Sequence, residues 1–401
     1  MLLWSSNNSQ EISYITKKIG QWDSLNPGRP IRFQPIPEGQ SSEEIILASV
    51  VGGTTPAMYA NMWQGNVEMY ARAGVLVRLD TMPGFTETIS ERCTPETIKE
   101  ITSADGHIYQ IPWKVNPIMM LYNVKIFDEV GLEKFPGTYP EYIEAARLIS
   151  ADRDKDGYLD RWIGYSSVQP IWYQRLFNFY PLYLAASNGA PLIENNRAAF
   201  NNHYAVQVFA FLQELYTKNY FSKQQMTASQ DPFIMERVAT LITGPWEVPY
   251  LEKFKPPEME YGFMPMIVPL ETDQPVYTYG DPKNIVIFNT CKDPRTAWEF
   301  LKTLICEEGD LDLLRITGQF PSRKKISENP VFQPFLKENP GLKPFAIQAD
   351  YIKGVDNHPN IVEVFDILSQ EYEACVIYGR KSPEEAVKDA SDAVDVLLKG
   401  L

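Results

Sequence analysis

Histidine and cysteine are scarce in this chain of 401 residues, with three of the first and four of the second. His107, His203 and His358 stand isolated, so a histidine general base has no evident partner along the sequence. Cys93, Cys291, Cys306 and Cys375 lie far apart and form no C-x-x-C pair, which argues against a thiol redox or metal centre and leaves disulfides undecided. No apolar run approaches the ~18 residues of a membrane span. No leader of the secretory kind opens the chain. Basic residues are the minority, 37 Lys and Arg against 51 Asp and Glu, for a net charge of −14. A nucleic-acid footprint needs clustered Lys and Arg, so nucleic acid is not an expected partner. The catalytic signatures G-x-S-x-G and H-E-x-x-H are missing, as are the Walker loop and G-x-G-x-x-G. There is no internal repeat, low-complexity tract or long linker.

What is present suits a two-core α/β protein. The length and a 44% hydrophobic content can bury more than one core. Residues 2–4, 31–36 and 57–63 read as strands. Between the first two, Ile12, Ile15, Ile19 and Trp22 recur at helical spacing, and SSEEIILASVVGG carries a second helix with a Gly-Gly stop. Strand–helix–strand alternation predicts an open parallel sheet, with ligand loops beyond the carboxyl ends of its strands. That places Trp4 to Asn8 and Trp63 to Asn66 in candidate ligand loops, although either tryptophan could fill a core instead. Further on, Thr138 and Glu141 form a capping box, residues 204–216 carry a helical apolar stripe, and 239–250 reads as a strand that breaks at Gly244-Pro245. Asp293 caps another helix with Pro294 in its first turn, and Ser382 opens a closing helix.

The stretch Asp105 to Asn123, DGHIYQIPWKVNPIMMLYN, places Trp113, Lys114 and Asn116 between two prolines. Proline fixes φ and removes a ladder donor, so an extended connector is expected there. Its tryptophan either lines a cleft or closes a strand end. This stretch, with SSEEIILASVVGGTTP, ITGPWE, IVIFNTCKDPRTAWEFLKTL, TGQFPSR and YGRKSPEEAVKDASDAVDVLL, resembles the bacterial ABC-transporter extracellular solute-binding proteins, family 1, of the maltose/oligosaccharide-binding type. The likeness spans nearly the full chain. One departure is Pro56-Ala57-Met58, where many relatives read Pro-Asp-Val, so an acidic residue near the ligand loop is missing.

The resemblance implies a two-lobed periplasmic binding protein-like fold (type II), with a ligand cleft between lobes joined by three hinge crossovers. By position these fall near 114–116, 280–283 and 322–325. The first lobe would then comprise 1–114 and 284–322, and the second 117–279 and 326–401. The implied role is extracytoplasmic, periplasmic or at the cell surface, with Met1 standing where a leader was removed. The implied partners are a carbohydrate ligand and the membrane permease subunits of an ABC importer, and the protein is expected to be a monomer. A sugar ring needs a stacking aromatic beneath its C–H face and polar groups around its rim. Trp63, Trp113, Trp172, Trp246 and Tyr279 supply aromatics, and Gln64, Asn66, Lys114, Asn116, Glu247, Asp281 and Arg323 lie beside them or at a crossover. Trp172, in a helix-like apolar context, could equally be core. Two other readings stay open: a binder of a phosphorylated polyol such as glycerol phosphate, held by Lys114 and Arg323, and a glycoside-cleaving enzyme with a carboxylate pair, of which Glu247 is the only member located.

A separate motif is Asp152-Arg-Asp154-Lys-Asp156-Gly157-Tyr158-Leu-Asp160. Carboxylates at positions 1, 3, 5 and 9, glycine at 6 and a backbone carbonyl at 7 reproduce the ligand order of a calcium loop. Position 12 is Ile163 rather than the usual glutamate, and flanking helices are not evident. A structural calcium ion, away from the substrate, is expected here. The alternative is a solvated acidic turn.

Overall fold

The computed structural model describes residues 1–37, 40–152, 155, 157–224, 226 and 231–399, with 40 and 41 in backbone only. The chain forms two compact units. The first comprises Met1–Asn116, Asp281–Asp350 and Asn357–Pro359, and the second Pro117–Gly280, Tyr351–Asp356 and Asn360–Leu401.

In the first unit, β1 (Leu2–Ser6), β2 (Arg32–Ile36), β3 (Met58–Trp63) and β4 (Ile111–Val115) join the strands Lys283–Ile287 and Phe320–Pro321. Across the sheet the order is Phe320–Pro321, β4, Lys283–Ile287, β3, β1, β2. β1 pairs in parallel with both β2 and β3, as the strand–helix–strand pattern requires. The sheet is mixed rather than parallel, because Lys283–Ile287 runs antiparallel to both β3 and β4. That strand enters where the chain returns at Asp281, from the opposite end to β3. The helix between β1 and β2, α1 (Ser9–Leu25), starts at Asn8, whose side chain accepts the N–H groups of Gln10 and Glu11. It buries Tyr14, Ile15 and Trp22 against Leu3, Met58, Ile111 and Trp298, while Ile12 and Ile19 stay half-buried.

A β-bulge shapes the end of β3. Ala60 opposes Ile285 and Met62 opposes Asn284, leaving Asn61 without a partner position, at φ 127°. Side chains alternate along a strand, so one extra residue sends every later one to the other face. Met58 and Ala60 accordingly pack on one side of the sheet, but Met62 joins Tyr59 on the other.

In the second unit, β5 (Met119–Asn123), β6 (Trp162–Gly164) and the strands Val238–Thr243 and Tyr261–Met264 form a sheet. Its order is Tyr261–Met264, β5, Val238–Thr243, β6. Helix Tyr139–Ile149 begins with the expected capping box of Thr138 and Glu141. Tyr139 stacks on Phe211 of helix His203–Thr217, with ring centroids 4.1 Å apart. That helix buries Val208, Phe209, Leu212, Leu215 and Tyr216, the stripe read from sequence.

The chain changes unit between Asn116 and Pro117 and between Gly280 and Asp281. The third change lies between Asp350 and Tyr351, not at 322–325, so 326–350 belong to the first unit. Residues 320–324 are tied down there by three backbone contacts: Phe320–Pro321 pairs with β4, Ser322 N–H donates to Trp113 O at 2.8 Å, and Lys324 N–H donates to Arg92 O at 2.9 Å. Beyond them Phe332, Leu336 and Phe345 are buried, and Phe345 lies 6.4 Å from Phe320. Sequence punctuation by Pro321 marks a strand end here, not a passage between units.

Candidate functional site

In the first unit the expected polar residues meet at one edge of the sheet, where β1, β3 and β4 end. Lys283 stands opposite both Trp63 and Lys114, and Pro321 opposite Lys114, so these residues form one row across the strands. Behind that row the Lys114 ammonium donates to Glu11, and Gln319 Nε2 donates to Glu11 Oε1 at 2.7 Å. Both charged side chains of the pair are almost fully buried, at 2% and 0% exposed. Glu11 Oε2 accepts no hydrogen bond among the described residues. Three further buried oxygens near this edge also have no hydrogen-bond partner among the described residues: Ser5 Oγ, Asn61 Oδ1 and Asn116 Oδ1. Native interiors seldom leave buried polar atoms unpaired, so such a group of oxygens marks a place where something else bonds.

Asn66 Nδ2 donates to Glu43, whose carboxyl burial pushes up to about 7 despite the opposing pull of Lys283. Asp281 pairs with Lys283 at 3.2 Å. Gln64 Nε2 reaches Glu100 O at 3.4 Å, and both Gln64 and Trp63 are buried. Sequence reasoning missed Glu11 and Glu43. Glu11 lies one helical turn past the β1 end, so the strand-end rule that picked out Trp4 to Asn8 stops just short of it.

Three expected ligand residues prove to be built into this unit. Trp113 is fully buried in the helix-side core, 6.4 Å from Tyr14. Trp113 itself is the extra residue of a second bulge, since β4 pairs at Lys114 and then Pro112 against consecutive residues 283 and 284. Pro112 is tolerated at such a bulge, where the ladder needs no donor. The extended connector is thus a bulged strand. Trp4 pairs with Tyr59, four residues short of the Trp63 row, and packs half-buried against Ile36, Ile46 and Tyr59. Arg323 Nε donates to Asp310 Oδ2 at 2.7 Å, in a triad that Arg92 completes. Its guanidinium is committed to the fold.

The second unit carries an aromatic face. The strand Val238–Thr243 stops at Gly244-Pro245, and helix Glu247–Phe254 follows. Trp246 folds back over Gly244: a Cβ there would sit 2.2 Å from the indole ring, so only glycine seats it. Trp246 is 41% exposed, while the other expected tryptophans are buried or half-buried. Phe177, which sequence reading did not single out, meets it edge-on at 6.3 Å. Tyr279 lies 6.1 Å from Phe177 and is fully buried, so it supports the face rather than presenting itself. Trp172 sits half-buried in a short turn, edge-on to Tyr173 at 5.9 Å. Glu247 Oε2 accepts from the Thr243 hydroxyl at 3.1 Å, and burial raises its carboxyl above the usual range.

Of the acidic loop, Asp154 and Asp156 lie outside the described residues. Gly157 adopts φ 97° and donates its N–H to Asp152 Oδ2 at 2.8 Å, the turn that glycine at position 6 serves. Asp160 N–H donates to Ala151 O at 3.0 Å and closes the loop's base. Position 12, Ile163, has an aliphatic side chain with no donor atom and is buried in β6. Arg161 turns away from the loop to Glu129 at 2.6 Å and to Glu236 O at 3.2 Å. Among the described residues no three metal-ligating side chains converge.

Comparison with known proteins assigns the class. Residues 24–344 match the family model for bacterial extracellular solute-binding proteins, and the chain belongs to that family. It is similar to the arabinooligosaccharide-binding protein of Halalkalibacterium halodurans, 22% identical over 97% of this chain and 88% of the relative. Among solved structures, an uncharacterized protein from Listeria monocytogenes EGD-e superposes with a TM-score of 0.86 at 26% identity, over 99% of both chains. The sugar-binding protein MalE from Xanthomonas citri gives 0.82 at 18% identity, over 100% of this chain and 97% of that one. The fold is the two-lobed periplasmic binding protein type.

Proposed function

We propose that the protein is the extracytoplasmic substrate-binding component of an ABC importer and takes a sugar or oligosaccharide without chemical change. The observation that carries this is Trp246, an exposed indole seated on Gly244 and walled by Phe177. Such a surface suits the C–H face of a pyranose, and Glu247 beside it suits a ring hydroxyl. In the first unit the unpaired oxygens of Glu11, Ser5, Asn61 and Asn116 suit further hydroxyl donors. Relatives described as binding arabinooligosaccharide and maltotriose support the same substrate class.

A phosphorylated polyol fits less well. Lys114 is paired with Glu11, and Arg323 is tied to Asp310 and to Ile305 O, so both expected cations are engaged within the fold. Glycoside cleavage also lacks support. Burial is the main cause of the raised Glu247 carboxyl and Asp231 adds to it, but Asp231 Oδ1 is occupied by the N–H groups of Phe233 and Ile234. A thermal-shift screen tests the assignment, because a ligand that binds only the folded state raises the midpoint. Oligosaccharides should raise it and glycerol phosphate should not. The reverse pattern would overturn the reading.

The loop 152–160 is further proposed to hold a structural calcium ion. What supports this is the order of carboxylates along the loop together with the Gly157–Asp152 closure. Calcium is expected to raise the melting midpoint over that in excess chelator. Identical midpoints, with no metal by elemental analysis of protein prepared in calcium, would sink the site.

A further inference from the structure

Near the sheet edge of the first unit, most carboxylates have a cation. Glu11 is paired with Lys114, Asp281 with Lys283 at 3.2 Å, and Glu68 with Arg72 at 3.0 Å. Glu43, half-buried in the first turn of helix Gln40–Val51, has an amide instead: Asn66 Nδ2 donates to its Oε2. A neutral amide holds a carboxylate less strongly than an ammonium or guanidinium does. The groups around Glu43 come from several elements. Tyr59 of β3 and Tyr70 of helix Val67–Arg72 are buried phenols, kept protonated by burial first and by the Glu43 charge second. The Ser42 hydroxyl and the Asn61 amide lie beside the Tyr59 phenol, and the charge of Glu11 reaches it too. Glu44, next in the helix, is exposed. Lys283 is the cation that pulls the carboxyl down, and Asp281 already pairs with it. A helix start favours an anion, but only modestly. Burial prevails, and the carboxyl rises to about 7.

The protonation state decides what this group can bond. An ionised carboxylate only accepts hydrogen bonds, whereas the neutral acid also donates one. Oε2 already takes the Asn66 amide, so the proton belongs on Oε1. The unpaired oxygens of Glu11, Asn61 and Asn116 at this edge can only accept from a solute. A neutral Glu43 adds the opposite sense, a donor for a ring or hydroxyl oxygen. A bound solute would also remove the water that still reaches this half-buried group, which disfavours the ionised form further. Given the sugar-binding role proposed above, we propose that Glu43 serves the solute site as a neutral acid that donates a hydrogen bond to the solute, so that solute binding takes up a proton.

Melting curves of the whole protein without solute test the protonation state by itself. Relative to E43Q, the wild type should lose stability as pH rises from 4.5 to about 7, because the folded state keeps a proton that the unfolded chain has released. Other titrating groups are common to both proteins and cancel in the difference. Midpoints that run parallel through this window would overturn the neutral acid. Calorimetric titration with an oligosaccharide then reads the proton itself, in phosphate and in Tris at one pH just above 7. The wild-type heats should differ between the buffers, and its affinity should fall above pH 7 by up to about tenfold per unit, the limit for one proton. E43Q should show neither effect. Buffer-independent heats in the wild type, or the same slope in E43Q, would overturn the proton linkage. Should E43Q fail to fold, the wild-type heats in the two buffers decide alone. If no oligosaccharide binds the wild type at any pH, the sugar-binding role fails instead, and the melting curves still decide the state of Glu43.

Discussion

Trp246→Ala is expected to weaken oligosaccharide binding by about 30- to 150-fold, the loss of roughly 2–3 kcal/mol that a central aromatic anchor contributes. The expectation follows from the indole's position. It is 41% exposed, so its removal leaves no large internal void, and part of its surface is available to a ligand. Phe177 stands nearly perpendicular to it, with ring centroids 6.3 Å apart. The melting temperature of the free protein should therefore move little. Calorimetric titration of both proteins, with their melting curves, checks this. Unchanged affinity with a collapsed midpoint would make Trp246 a core residue and remove the site from the second unit.

The second large effect is on stability. Asp310→Ala should cost about 3–5 kcal/mol, because it strands two guanidinium groups in the interior of the first unit. Asp310 is fully buried and accepts from Arg92 at 3.0 and 2.8 Å and from Arg323 at 2.7 Å. Arg92 in turn donates to Pro112 O and to Trp113 O, the latter at 2.9 Å, so the triad braces the bulged end of β4. Chemical denaturation should show the midpoint falling without a change in ligand class. A loss below 1 kcal/mol would mean that solvent reaches the arginines and that the triad is not a buried lock. Arg92→Met with Asp310→Leu is expected to recover part of the loss, since replacing ions by apolar groups is tolerated better than breaking them.

The division of the chain into α/β units was legible wherever local chemistry decides structure. The Asp293 cap, the Thr138–Glu141 box and the 208–216 stripe act over a few residues, and each appears as read. What depended on pairing between distant residues was not legible. The two bulges at Asn61 and Trp113 arise from register against the strand Lys283–Ile287, some 170 to 220 positions away along the sequence, and they decide which side chains reach the sheet edge. Lys114 and Arg323 read as free cations because their partners, Glu11 and Asp310, stand in helices that carry no sign of the pairing. The exposure of Trp246 follows from a local feature, the Gly-Pro break directly before it. Phe177 was not legible, since nothing near it in sequence separates an exposed wall from a core phenylalanine.

Binding without chemistry is tested most directly by calorimetric titration with a panel of oligosaccharides, followed by chromatography of the recovered sugar. The predicted result is saturable binding of at least one oligosaccharide at a single site, with the sugar returned intact after prolonged incubation. Shorter saccharides in the recovered material, or heat evolved only with a phosphorylated polyol, would contradict it.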